Sequence, residues 1–330
     1  MDIVQFIQAL PKAEVHLHLE GALPWKMVRA YTQEALPAEP VWWRDEFRFD
    51  NFRHFISELA LCGRSVLCTL DAYREAATVI FQQLLAQNVR YVEISFAVSL
   101  ATQHNFEVAD VAAVIREAVP PELTVCVIGG LSREYPDWLT DERMAAILNA
   151  PALDGLDLHG DETQGGPAPF ARIFCRAQKI GLLTKAHAGE LCGPQSIKDT
   201  LKVLQVKRIE HGTTAEHNPA LLAQLAAENI TLDMCPWSNV KLRVVGSIGS
   251  HPIRYFLQQG IRVTLSTDDP TIFGYSLSEE LLSLVERLHF TPAELAQLQI
   301  NAFRVARMSI EKKNTILAEI DALLAKWVRE

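Results

Sequence analysis

Eight short runs rich in β-branched and other apolar residues recur along the chain, separated mostly by segments whose apolar residues fall at i, i+3 and i+4. The runs are Glu14–Leu19, Val89–Phe96, Leu123–Gly129, Leu153–Leu158, Leu182–His187, Val206–His211, Ile230–Cys235 and Ile261–Thr267. Strand-like runs alternating with helical segments are the pattern of parallel βα units. Eight such units close a barrel, so the expected fold is α/β, a (β/α)8 TIM barrel. Helical periodicity is expected at 107–118, 139–148, 168–180, 194–204, 217–228, 251–260 and 277–288. The interval 23–88 is far longer than one crossover needs. It holds Trp25, Trp42, Trp43, Phe47, Phe49, Phe52 and Phe55 ahead of a helical stretch at 70–87, which implies a helical insertion after strand one. Two further helices, 291–309 and 313–328, are expected to pack outside the barrel. With no linker, charge block or internal repeat to divide it, residues 1–330 read as one domain.

Charge narrows the partners. Forty Asp and Glu against 31 Lys and Arg give −9, so no cationic surplus exists to neutralise nucleic acid or an anionic membrane. No run of 18 apolar residues occurs, and the first residues lack a basic segment followed by a long apolar one. The six cysteines form no CxxC pair and read as reduced thiols. A cytoplasmic protein acting on a small molecule is the expectation.

In a TIM barrel the active site lies at the C-terminal ends of the strands. Those positions carry His16 and His18, then Asp157 to Glu162 with His159 among them, then His187 and Glu190, then His211, then Asp268 and Asp269. Five of the ten histidines fall there. On a strand His16 and His18 share a face. With His187 and Asp268 they make a nitrogen and oxygen set that suits one zinc ion with a position left for water. Three neutral imidazoles and one carboxylate leave about +1 on the ion, which favours ionisation of that water near neutral pH. A two-metal site bridged by a strand-four lysine is not indicated, because strand four has none and Lys185 lies in strand five. His159 is expected to pack beside a ligand or face outward. His211 would orient and help deprotonate the water, and Glu190, buried at the rim, would act as proton donor. Only one of Asp268 and Asp269 can readily be a ligand, which frees Asp269 for substrate. Cys235 reads as a small packed residue, and the aromatics from Trp25 to Phe55 as core or a lid over the cleft.

The segments PKAEVHLHLEGAL, GLDLHGDE, KAHAGE, RIEHGT, MCPWSN and LSTDDPTIFG, in this order from residue 11 to 274, resemble the strand-end motifs of the adenosine deaminase family of metal-dependent amidohydrolases. The resemblance implies zinc, one per chain, on His16, His18, His187 and Asp268. It further implies that Glu190 protonates purine N1, His211 positions the attacking hydroxide, Asp269 hydrogen-bonds N7 and the Gly160 amide faces N3. The implied reaction replaces the 6-amino group by oxygen and releases ammonia.

Glu20 stands where the family's adenosine enzymes carry an Asp that contacts ribose, as it does in the adenine and modified-nucleoside branches. The segment 238–254 also resembles the adenine branch, whereas GDET and TDDPTIFG resemble nucleoside enzymes. Adenosine or a related nucleoside is the first expectation, with adenine, a 5′-modified adenosine or an N6-substituted adenine as alternatives. Hydrolysis of another amide-like bond, or an idle barrel that only binds purine, are the competing functions. The second would need a broken site position, and none is broken.

Overall fold

The computed structural model describes residues 1–32 and 35–329; residues 33 and 34 of the expected insertion, and Glu330, lie outside the described residues. Eight parallel strands run in the order of the sequence: β1 (Lys12–His18), β2 (Val89–Ala97), β3 (Thr124–Ser132), β4 (Gly155–His159), β5 (Leu183–Ala188), β6 (Arg208–His211), β7 (Thr231–Met234) and β8 (Arg262–Leu265). The barrel closes where the Leu17–Asp268 bridge joins the β8 end to β1, with His18 N donating to Asp268 O and Asp268 N to His16 O, both at 2.9 Å. Each expected run therefore contains a strand, with bounds moved by a few residues. β8 stops at Leu265 rather than Thr267: Ser266 N still donates to Met234 O of β7 at 3.0 Å, but from there the chain turns its contacts to β1. Ser266 Oγ accepts from Val15 N at 3.3 Å, and Thr267 donates from N and Oγ1 to the Glu14 carboxylate at 3.2 and 2.9 Å.

Among the described residues, the segment between β1 and β2 holds three α-helices, Trp25–Tyr31, Phe52–Val66 and Leu70–Ala86. Only the last was read from periodicity. Asn51 caps the second, its Oδ1 accepting from His54 N at 3.0 Å. The expected tail appears as Pro292–Val305, packed on β8 and β1, and Ile310–Arg329, packed on the first tail helix and on Ile3–Ala9. Among the described residues no helix is long and apolar enough to cross a membrane.

Branched apolar layers usually fill such a barrel. Here the period of two turns a different set inward. Glu14, His16 and His18 of β1, Glu93 of β2, Asp157 of β4, Lys185 and His187 of β5, Arg208 and Glu210 of β6 and Asp233 of β7 are all buried. Burying that many charges is tolerable only if they pair, and they do: Arg208 reaches Glu93 at 2.6 Å and Asp233 at 2.7 Å, and Lys185 reaches Glu210 at 2.7 Å. The apolar core lies outside this column, between strands and helices.

Candidate active site

Four donor atoms meet at the C-terminal mouth. His16 Nε2 and His18 Nε2 lie 3.1 and 3.2 Å from His187 Nε2, and 3.4 and 3.2 Å from Asp268 Oδ1. Tetrahedral ligands about 2.05 Å from a zinc ion stand about 3.3 Å apart, so the set has the spacing of a zinc site before any ion is considered. The outer nitrogens agree. His16 Nδ1 faces Asp233 O at 3.3 Å and His187 Nδ1 faces Asp157 Oδ1 at 3.2 Å, which leaves both Nε2 lone pairs pointing at the centre. Three lone pairs and a carboxylate gathered without a cation would repel one another.

Two of the site residues depend on backbone that strand periodicity does not supply. His211 follows the inward-facing Glu210, so alternation alone would send it outward. A φ of +65° at His211 turns it into the mouth, and Asp268 has φ +63°. Such left-handed non-glycine residues are uncommon and cluster at functional positions. Asp268 Oδ2 then accepts from Ser238 Oγ at 2.7 Å. The His211 Nδ1 contact, 3.1 Å, is to Asn239 Nδ2, and Asn239 Oδ1 is held by Thr213 and His251. The MCPWSN segment thus acts through Ser238 and Asn239, to which the sequence reading gave no role. Cys235 itself is buried with Sγ 3.4 Å from His16 Nδ1, and burial pushes its thiol pKa well up.

Glu190 and Asp269 border the cluster. Glu190 Oε1 and Asp269 Oδ1 are both buried without a hydrogen-bond partner among the described residues. Burial first, and the nearby Asp268 charge second, push the Glu190 carboxyl up to about 8, and the same two causes hold Asp269 well above the usual carboxylate range. His211 Nε2 stands 3.5 Å from Glu190 Oε1 and 3.8 Å from Asp268 Oδ2; burial keeps its imidazole neutral. Gly21 has to be glycine, since a Cβ there would sit 1.8 Å from Asp269 Oδ1.

A cleft of about 440 Å³ opens over these groups, lined by Glu20, Gly160, Glu190, His211, Asp268 and Asp269 together with the inner face of the helix Phe52–Val66. Phe52 and Phe55 belong to that wall. Phe49 packs beneath them, and Trp25 packs edge-on against Trp42 and Trp43, so the aromatic interval is mostly core with two residues facing the cleft. Glu20 is fixed by Ala97 N, which donates to Oε1 at 2.8 Å, and burial pushes its carboxyl up to about 7. His159 does not face outward. Its ring stacks on His18, centroids 5.7 Å apart, and lines the cleft outside the four-atom cluster.

Glu162 was missed as a working residue, although it stands in GDE. Its carboxylate accepts from the backbone N–H groups of Gly189, Glu190, Leu191 and Cys192 at 2.6, 3.1, 2.8 and 2.9 Å, and from the Ser196 hydroxyl. That clamp fixes the turn that carries Glu190. Glu162→Gln replaces acceptor by donor on one side and is expected to cost about 1–3 kcal/mol of stability. It should also lower kcat about tenfold at unchanged metal content. Thermal melting and metal analysis check it; wild-type kcat in the variant would remove the clamp from catalysis.

The family profile for adenosine deaminase matches residues 11–323. The adenine deaminase of Rhodospirillum rubrum is 34% identical over 335 residues, spanning 97% of this chain and 97% of that protein. The aminodeoxyfutalosine deaminase of Streptomyces avermitilis is 31% identical, spanning 99% of this chain and 95% of that one. Among solved structures, the adenine deaminase from Arthrobacter aurescens aligns with a TM-score of 0.87 at 26% identity, covering 97% of this chain and 100% of its own.

Proposed function

Because the chain belongs to the adenosine deaminase family, we propose that it is a zinc-dependent purine aminohydrolase whose substrate is adenine. The observation that carries this reading is the pair of buried, unpartnered carboxyl oxygens, Glu190 Oε1 and Asp269 Oδ1, flanking the four-donor cluster in one cleft. Each is kept protonated by burial and each lacks a partner that a ring nitrogen would supply. His16, His18, His187 and Asp268 would hold the zinc ion, which when bound lowers the pKa of water so that hydroxide is available near neutral pH.

The chain's own residues supply the rest. Glu190 gives its proton to N1 and so draws electron density from C6. Asp269 donates to N7, and the Gly160 amide faces N3. Neutral His211, braced by Asn239, takes the proton of the attacking water and aims its oxygen at C6. The C6–O bond forms, His211 passes the water's proton on to the 6-amino nitrogen, the C6–N bond breaks as ammonia leaves, and the remaining hydroxyl proton returns to the Glu190 carboxylate as the C6–O double bond closes. The product is the 6-oxo purine.

The preference between base and nucleoside reverses relative to the sequence reading, which put adenosine or a related nucleoside first. Support for adenine comes from Glu20, pinned to Ala97 N at the cleft wall, and from the name of the Rhodospirillum rubrum relative. A second reading, a purine with a large N9 substituent, is favoured by the roomy cleft and the aminodeoxyfutalosine-acting relative. An ammonia-release panel of adenine, adenosine, 2′-deoxyadenosine, 5′-modified adenosines and N6-substituted adenines tests both. We expect kcat/KM for adenine to exceed that for adenosine by about tenfold or more. The reverse order selects the second reading, and no ammonia from any member defeats the proposal.

A further inference from the structure

Beneath the four-donor cluster lies a second set of charges that the reaction above does not use. Glu210 is the cross-strand neighbour of His187, and Lys185 sits two residues below His187 on the same inward face of β5. Glu210 is fully buried and divides its two oxygens between two of the zinc-binding histidines. Oε2 is 2.9 Å from His187 Nδ1, and Oε1 is 3.7 Å from His16 Nε2, the nitrogen that faces the centre. A free carboxylate in that position is within a small side-chain movement of a metal ion held by His16. It would be a fifth protein ligand, in competition with the water.

Lys185 opposes that movement. Its ammonium donates to Val15 O at 2.9 Å and is ion-paired with Glu210 Oε1 at 2.7 Å and Glu93 Oε2 at 3.5 Å, contacts from three other strands. Glu93 is fixed in turn by Arg208 at 2.6 Å and by the Tyr91 hydroxyl at 2.9 Å, and Arg208 by Asp233. His187 already has an aligned acceptor in Asp157 Oδ1, so a second carboxylate at its Nδ1 edge is not required to set the tautomer.

We propose that Lys185 is a positioning residue for the metal centre: it tethers Glu210 so that this carboxylate braces His187 from the side and stays out of the coordination sphere. The inference rests on the reading of His16 and His187 as zinc ligands, and its test separates the two.

The experiment compares wild type, Lys185→Met, Lys185→Arg, Glu210→Gln and the double variant Lys185→Met/Glu210→Gln, each as full-length protein loaded with zinc and with cobalt(II). The visible spectrum of cobalt(II) reports the number and kind of its ligands, so a carboxylate that displaces or joins the bound water alters it. Lys185→Met is expected to bind one metal ion, change its visible spectrum and lose roughly tenfold or more in kcat, within the range for disturbed outer partners of metal ligands. Lys185→Arg should keep most of both. The double variant has no carboxylate to release and should return toward the wild-type spectrum and rate. A Lys185→Met protein with an unchanged cobalt spectrum, or a double variant whose losses are the sum of the two singles, overturns the proposal. Should Lys185→Met fail to fold, the double and Arg variants decide the matter by the same readouts. A wild-type protein that takes up no metal defeats the zinc reading itself.

Discussion

Glu190→Gln is expected to bind zinc as the wild type does and to turn over its purine about 10²–10⁴ times more slowly. The substitution keeps the volume and one N–H donor in a site that is buried, but removes the proton that has to reach N1. Addition of water to C6 without that proton would leave charge on N1 in a cleft whose wall includes Phe52 and Phe55. Glutamine can hydrogen-bond N1 and so should hold KM within a few-fold of wild type, which distinguishes loss of the acid from loss of binding.

The same residue sets the pH dependence. Burial and the Asp268 charge push Glu190 up to about 8, so the required form is the protonated one at neutral pH and is lost as pH rises. The kcat/KM profile should therefore fall on its alkaline side, at or somewhat below pH 8 because the bound cation favours the ionised form. That limb should be missing from the residual activity of the Gln variant. Equal turnover in wild type and variant would strip Glu190 of its role.

How much of this could be read from the sequence depends on the range of the interactions. The barrel was legible because strand and helix periods differ, and His16 and His18 were legible because a period of two puts them on one face. His211 and Asp268 were harder: both enter the mouth through a left-handed backbone turn, so their strand-end positions and motif matches carried them rather than alternation. Glu162, Ser238, Asn239 and Gly21 were not assigned work because each acts on a residue distant in sequence, through a hydrogen bond or a close approach that no spacing encodes. The helix Phe52–Val66 was read only as aromatic-rich sequence. It does carry an amphipathic stripe, with Phe55, Cys62 and Val66 buried on one side, which attention to its aromatic content passed over.

Stripping the protein of metal with a chelator should abolish ammonia release, and one equivalent of zinc should restore it. The geometry makes a second effect unavoidable if the four-donor reading is right. His16, His18, His187 and Asp268 hold their donor atoms 3.1–3.4 Å apart in a buried site, so the apoprotein keeps lone pairs and a carboxylate pressed together with no cation between them. Binding to the folded state alone at a thousand times Kd contributes about 4 kcal/mol. For a chain of this size that corresponds to a rise in Tm on the order of 5–15 °C on reloading. Asp268→Ala removes the only carboxylate of the set and should show the low Tm of the apoprotein whether or not zinc is added. It should also leave Ser238 Oγ without its acceptor. Calorimetry on the stripped, reloaded and Asp268→Ala proteins separates the outcomes. If the stripped protein melts where the loaded one does and still releases ammonia, the four side chains hold no working ion, and the chemistry must begin from some other activated water.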